Sequence, residues 1–342
     1  MDVVVRGFVD SLVLGEAMRL DGFTVLPLYS GMEGTLNYIA LQTAIEARAV
    51  KVEEIGASGS VGDLLVTNSG ECLVLAVDGE ELAGAKQNRI LNTSVLLERN
   101  TKTVIPVSCT EQGRWSYTSV EFRSSNSFAP PRIRENAKRA VNQALENNRG
   151  FRTNQGEVWD HVSRLAANAG VHSPTGALDD VVKSRLPELD RMLAALPARP
   201  GQCGLIAIAN GHVLGFDVVS RPAVYIHLHD RLLRSYLLET STESTSSPFL
   251  EPTTAAAEFL QNAASAEEHT FKSVGLGVDH RYSRRGIVGS ALSYEGQLVH
   301  AAFFHVPPEE ATNWTPGLRD YRYRRDFRTG ETHPGGPDAI ID

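Results

Sequence analysis

Between Asp78 and Trp115 the chain concentrates the side chains that acid–base chemistry and anion recognition require. Glu80, Glu81, Lys86, Gln87, Asn88, Arg89 and Asn92 crowd one short run ahead of an apolar stretch. Ser108, Cys109, Thr110, Glu111, Gln112 and Arg114 follow the next apolar stretch, and Trp115 closes the series. Two strand ends presenting carboxylates, amides and guanidinium groups together would form a pocket that orients a polar ligand. Glu81 and Glu111 are the acid/base candidates, because such work needs one carboxylate raised by burial and a second kept ionised by an arginine. Arg89 and Arg114 can grip a phosphate or carboxylate in a bidentate manner. Asn88 and Asn92, four apart, can pair with a sugar or a base edge. The competing reading is that all these residues cap turns and tie hairpins together through side-chain to backbone bonds.

Elsewhere the candidates are thinner. Cys109 near Arg114 could be an activated thiolate, but a lone cysteine after a strand is more often a small buried hydrophobe. His227 and His229 in VYIHLHD would share one face of a strand, beside Asp230, as metal ligands do. No zinc-binding motif accompanies them, so no metal site is assigned. The stretch GLGVDHRYSRRGIVG (275–289) has glycines and arginines but neither phosphate-binding fingerprint; it reads as turns, with Arg281 a secondary contact for an anion. No motif names a cofactor.

The elements that must hold these residues read as α+β. Residues 1–128 are rich in short β-branched runs, at 23–29, 63–68, 73–77, 92–98 and 103–107, with a helix at 37–48. Residues 129–200 read as helices: one opening at Pro131 with an apolar stripe from Ile133 to Leu145, one over 156–169, and one over 178–196 that Pro187 should break or kink. Residues 201–312 return to strands, with hairpins at 204–219 and 286–305, further strand at 270–277, and helices near 229–239 and 254–264. The two β parts could merge into one unit. Residues 241–248 form a low-complexity loop, and 313–342 an Arg/aromatic tail, RDYRYRRDFR, that suits either stacking on a partner or an edge segment.

Composition sets outer bounds. The 342 residues are 42% hydrophobic, enough for a substantial core, and the formal net charge of -8 argues against nucleic-acid backbones and anionic membranes as partners. Three scattered cysteines, an acidic N-terminal stretch and no long apolar run point to a cytoplasmic protein without a membrane span. A homo-oligomer is left open.

The strings GEELAGAKQNRILNTSVLL and IPVSCTEQGRW resemble the ARG and Rhodanese-Phosphatase-superfamily-associated Protein domain (ARPP) family, as do, more loosely, GEVWDHV at 156–162 and HSPTGALDD at 172–180. The resemblance covers roughly the first 240 residues. It implies a place in NAD or ADP-ribose metabolism, and the motif positions it carries over are Glu81, Lys86, Gln87, Asn88, Arg89, Asn92, Cys109, Glu111, Gln112, Gly113, Arg114 and Trp115; their expected role with a nucleotide-type ligand is read from the residues themselves. An enzyme of this kind would be a hydrolase or transferase; a ligand sensor and an interaction scaffold are the alternatives.

Overall fold

The computed structural model describes residues 1–56, 58–239 and 251–307. Helix α1 (Val3–Asp10) leads into strands β1 (Leu12–Leu14), β2 (Met18–Leu20), β3 (Phe23–Ser30) and β4 (Tyr38–Ala40). Helix α2 (Leu41–Glu46) precedes β5 (Val50–Glu54), β6 (Asp63–Asn68), β7 (Leu73–Ala76), β8 (Glu80–Gly84) and β9 (Arg89–Leu91). Strands β10 (Val95–Leu97), β11 (Thr101–Cys109) and β12 (Phe122–Phe128) complete that run. Helices α3 (Pro131–Glu146), α4 (Gln155–Asn168) and α5 (Leu178–Ala195) form the middle. Then come β13 (Gly204–Ala209), β14 (His212–Val219), α6 (Pro222–Leu237) and α7 (Pro252–Ala264). Strands β15 (Glu267–Lys272), β16 (Val278–Arg284), β17 (Ile287–Tyr294) and β18 (Gln297–His305) end the described chain. The fold is α+β.

A nine-stranded sheet runs β1-β3-β13-β14-β18-β17-β16-β15, with β2 also on β3. It joins strands from before and after the helical middle, because β3 pairs antiparallel with β13, Leu28 opposite Gly204. One face buries Phe216, Phe303 and Tyr282 against α1 and α7. The other face packs on the helical middle and α6 through Leu205, Val219, Leu292 and Phe304. Both faces are covered, so its central strands β13 and β18 are buried along nearly their whole length instead of alternating.

The site is carried by a smaller β unit. A six-stranded sheet runs β12-β8-β9-β11-β6-β5, and a bridge between Glu53 and Glu121 draws its two edges together. The three strands β10-β7-β4 pack with it around Val52, Leu64, Val74, Leu82, Leu91 and Ile105. Alternation along β6 and β5 follows from this one-sided burial.

Several sequence expectations shift. Residues 37–48 split into β4 and α2, since Tyr38 is tied by its hydroxyl to Ser220 and Val299, at 3.0 and 3.2 Å, before the helix starts. Helix α5 runs through Pro187 without ending; Leu178, Val181 and Val182 before it and Leu189, Met192 and Leu193 after it are all buried. That burial outweighs the lost backbone bond. Residues 275–289 are not a string of turns, because most of them form β16 and the start of β17. Gly275 and Gly277 stand where a Cβ would strike the carbonyls of Leu96 and Ser293. Their role is close backbone approach. His227 and His229 lie on α6, where positions two apart diverge; His227 is exposed, and His229 is buried between Tyr225 Oη at 2.9 Å and the Leu196 carbonyl at 3.0 Å. The tail from 313 and the loop at 241–248 lie outside the described residues.

Candidate functional site

The end of the turn between β7 and β8, Asp78-Gly79, and the first two residues of β8, Glu80 and Glu81, send three acids in three directions. Gly79 has φ +77, and a Cβ there would collide with the Arg134 side chain, so glycine lets the turn sit on that arginine. Asp78 pairs with Lys138 Nζ at 2.9 Å and Arg134 Nη2 at 3.3 Å. Glu80 pairs with Arg231 Nη1 at 2.7 Å. Glu81 is sealed in the interior, where it accepts hydrogen bonds from Thr110 Oγ1 and Ser125 Oγ, each at 2.8 Å. Burial pushes its pKa up to about 7 against the pull of those two hydroxyls, and the charges of Asp179 and Glu111 push the same way.

The turn between β8 and β9 is locked from outside by Arg114. Its Nε lies 2.9 Å from both carboxylate oxygens of Glu111, and its Nη2 lies 2.6 Å from Oε2. Its Nη1 donates to the carbonyls of Ala85 at 2.7 Å and Ser116 at 2.9 Å. Asn88 completes the clamp: its backbone N–H donates to Glu111 at 3.3 Å and its Oδ1 accepts from the Gly84 N–H at 3.1 Å. Glu111 and Arg114 thus hold one another and a hairpin.

Arg89 is different. Its guanidinium is completely buried, and its Nη1 donates to Gln87 Oε1 at 3.0 Å. Glu54 approaches its Nη2 to 3.6 Å, too far for a hydrogen bond. Both oxygens of the buried Glu54, and Nε and Nη2 of Arg89, have no hydrogen-bond partner among the described residues. Beside this pair, Lys86 donates to the Ser58 carbonyl at 2.6 Å and lies 5.3 Å from the Trp115 ring centre and 5.1 Å from that of Tyr117. The Arg89 guanidinium is also 5.5 Å from the Trp115 ring. Trp115 is half-buried, while Tyr117, Ile55 and Val61 are exposed. Gly59 brings its loop down on Glu54: a Cβ there would stand 3.1 Å from Oε2.

The remaining expected residues support this group from behind or stand apart. Cys109 is buried, and burial raises its thiol to about 11 against the pull of Arg89; its backbone is paired on both sides to the Gln155 amide, at 2.8 Å each. That is the small-hydrophobe role. The Gln112 side chain is exposed, and its carbonyl lies 3.5 Å from Gln87 Nε2. Asn92 donates to the Phe151 carbonyl at 3.0 Å and accepts from Ser108 Oγ at 2.7 Å. Arg281 belongs to another cluster, bonded to Asp279 and, at 2.6 Å, to Thr93 Oγ1, with the Phe151 ring 5.4 Å away.

Sequence reading missed a buried ionic junction between the two β units. Arg134 reaches Asp217 at 2.9 and 2.5 Å, Tyr236 Oη donates to Asp217 at 2.7 Å, and Ser94 Oγ lies 2.9 Å from His300 Nδ1. Burial alone would raise Asp78 and Asp217. The charges of Lys138 and Arg134 hold Asp78 well below the usual carboxylate range, and Arg134 holds Asp217 near 2. Lys138 falls to about 8 through burial and the nearby Arg134 and Arg281 charges, with Asp78 opposing. The available signal was Arg134 and Lys138, an i,i+4 pair of charges bordering the apolar stripe of α3. Glu54 and Tyr117 gave none. A cavity of about 230 Å³, lined by Val3, Phe8, Met32, Ser220, Gln297 and Leu298 among others, includes none of the expected site residues.

The smaller β unit of this α+β scaffold thus carries a buried polar cluster with Trp115 and Tyr117 beside it. The chain belongs to the ARG and Rhodanese-Phosphatase-superfamily-associated Protein domain family, whose model matches residues 11–304. No curated protein and no solved structure matches it. Among the described residues, no helix is long and apolar enough to cross a membrane.

Proposed function

We propose that the chain binds a small nucleotide-type ligand, an NAD or ADP-ribose derivative, at the Lys86–Arg89–Trp115 end of the smaller β unit. The observation that carries this reading is the arrangement of two cationic side chains against the half-buried Trp115, with Tyr117 exposed next to them. An aromatic face between two cations suits a planar base, and the Lys86 ammonium beside it suits the phosphates that base bears. Gln87 and Gln112 border the same end, and Glu111, Arg114 and Asn88 hold the hairpin that presents it. In this reading Glu81, held near neutrality by burial, is the proton-carrying group behind the site, and Glu111 acts by orienting Arg114.

Calorimetric titration of the purified protein with ADP-ribose, NAD and ADP tests the proposal. Binding to the wild type that weakens at least about tenfold in Trp115→Ala, a change at the rim that spares the core, is the expected result. Absence of heat with all three nucleotides, or binding indifferent to Trp115→Ala and Arg89→Met alike, overturns it. Product analysis of the same mixtures, with Glu81→Gln alongside, separates turnover from binding alone.

A further inference from the structure

We infer that the Glu54–Arg89 pair is a subsite for a neutral vicinal diol, the sugar end of the ligand, and that phosphate is excluded from it. The inference rests on the nucleotide reading above and assigns which part of the ligand goes inward.

Four polar atoms define the subsite: Oε1 and Oε2 of Glu54, and Nε and Nη2 of Arg89. All belong to buried side chains, and none has a hydrogen-bond partner among the described residues. Buried polar groups are nearly always satisfied, so two unsatisfied acceptors facing unsatisfied donors point to a ligand group that completes them. The 3.6 Å between Glu54 Oε1 and Arg89 Nη2 is an ion-pair distance without a hydrogen bond. A hydroxyl suits this gap because it donates to the carboxylate while accepting from the guanidinium. Two adjacent hydroxyls match the two carboxylate oxygens.

A phosphate does not suit it. Phosphate oxygens would accept from Arg89, but they offer Glu54 no proton and place like charge against a buried carboxylate. Phosphate is better served toward Lys86, a buried side chain whose ammonium lies 5.3 and 5.1 Å from the Trp115 and Tyr117 ring centres. Gly59 contributes by its missing Cβ, since any side chain there would press on Glu54 Oε2 and Lys86 Cδ, at 3.1 and 3.3 Å. The ligand would thus lie with its sugar diol inward, its phosphates at the rim and its base on the aromatic rings.

The test is competition against ADP-ribose, read by calorimetry, with ribose 5-phosphate, 2-deoxyribose 5-phosphate and inorganic pyrophosphate, together with direct titration of Glu54→Gln. Ribose 5-phosphate should compete at least about tenfold better than its 2-deoxy form, and Glu54→Gln should weaken ADP-ribose by a similar factor. The sugar comparison uses the wild-type protein, so it does not depend on how the variant folds. If ADP-ribose binds but both sugars compete equally, or pyrophosphate competes as well as ribose 5-phosphate, the diol subsite is wrong and the nucleotide reading survives. If no nucleotide binds, both fall.

Discussion

Glu81→Gln should stabilise the protein at alkaline pH and do little in acid. Glu81 is completely buried, and its pKa rises from 4.5 to about 7 in the folded chain. The folded state therefore holds this proton more tightly than the unfolded state. The stability linked to that proton is present in full below pH 4.5 and is lost as pH rises through 7. At about 1.4 kcal/mol per pKa unit, the loss across that window is about 3 kcal/mol. Glutamine keeps the shape of the protonated acid: its carbonyl accepts from one of the hydroxyls of Thr110 and Ser125, and its amide donates to the other, which needs only to rotate. It carries no charge at any pH. Urea unfolding of wild type and variant at pH 5 and pH 8 measures the effect. The variant should gain on the wild type by about 2 to 3 kcal/mol between the two conditions. Parallel profiles, with a constant difference from pH 5 to 8, would refute the assignment of a neutral buried Glu81.

Three further outcomes follow from the same geometry. Arg134→Met leaves buried Asp217 without its guanidinium and Asp78 with Lys138 as its remaining close cation, and should cost about 3 to 5 kcal/mol in urea unfolding. Gly79→Ala forces a side chain into a left-handed turn above Arg134 and should destabilise by about 1 to 3 kcal/mol, again by urea titration. In native protein at pH 8, iodoacetamide should label the partly exposed Cys72 and spare Cys109 and Cys203, whose thiols burial raises to about 11 and about 12; peptide mass mapping reads the pattern.

Much of this organisation was legible in the sequence where local physics decides it. The stripe Ile133, Ala137, Val141 and Leu145 behind Pro131 gave α3, and the Asn210-Gly211 turn gave the β13–β14 hairpin, because periodicity and turn chemistry act over a few residues. The polar run 78–115 stood out in the sequence; in the fold its members divide between the β8–β9 hairpin, held by Asn88, Glu111 and Arg114, and separate partners on α3, α4 and α6. What the run could not disclose is which partner each side chain takes. Arg114 and Arg89 look alike in sequence; one is consumed by Glu111 and backbone carbonyls, while the other faces Glu54, which stands far upstream on β5. Strands β8 and β9 were invisible for a related reason. Their charged residues are buried against partners on α6, β5 and β12, so they show no alternation between apolar and polar positions. The strand reading of His227 failed because α6 is buried over much of its surface, which blurs its helical stripe.

The junction of β3 with β13 has a consequence for how the chain is made. Leu28 and Gly204 are neighbours only after the whole smaller β unit and the helical middle have been synthesised between them. Until then β3, apolar along most of its length, has no partner on the side where β13 will lie. Pairings of such long sequence separation are slow to form, and an uncovered apolar strand invites association with another chain in the meantime. A fragment ending before β13 would keep that edge permanently, so aggregation of N-terminal fragments, relieved by co-expressing the remainder, is the behaviour this topology entails.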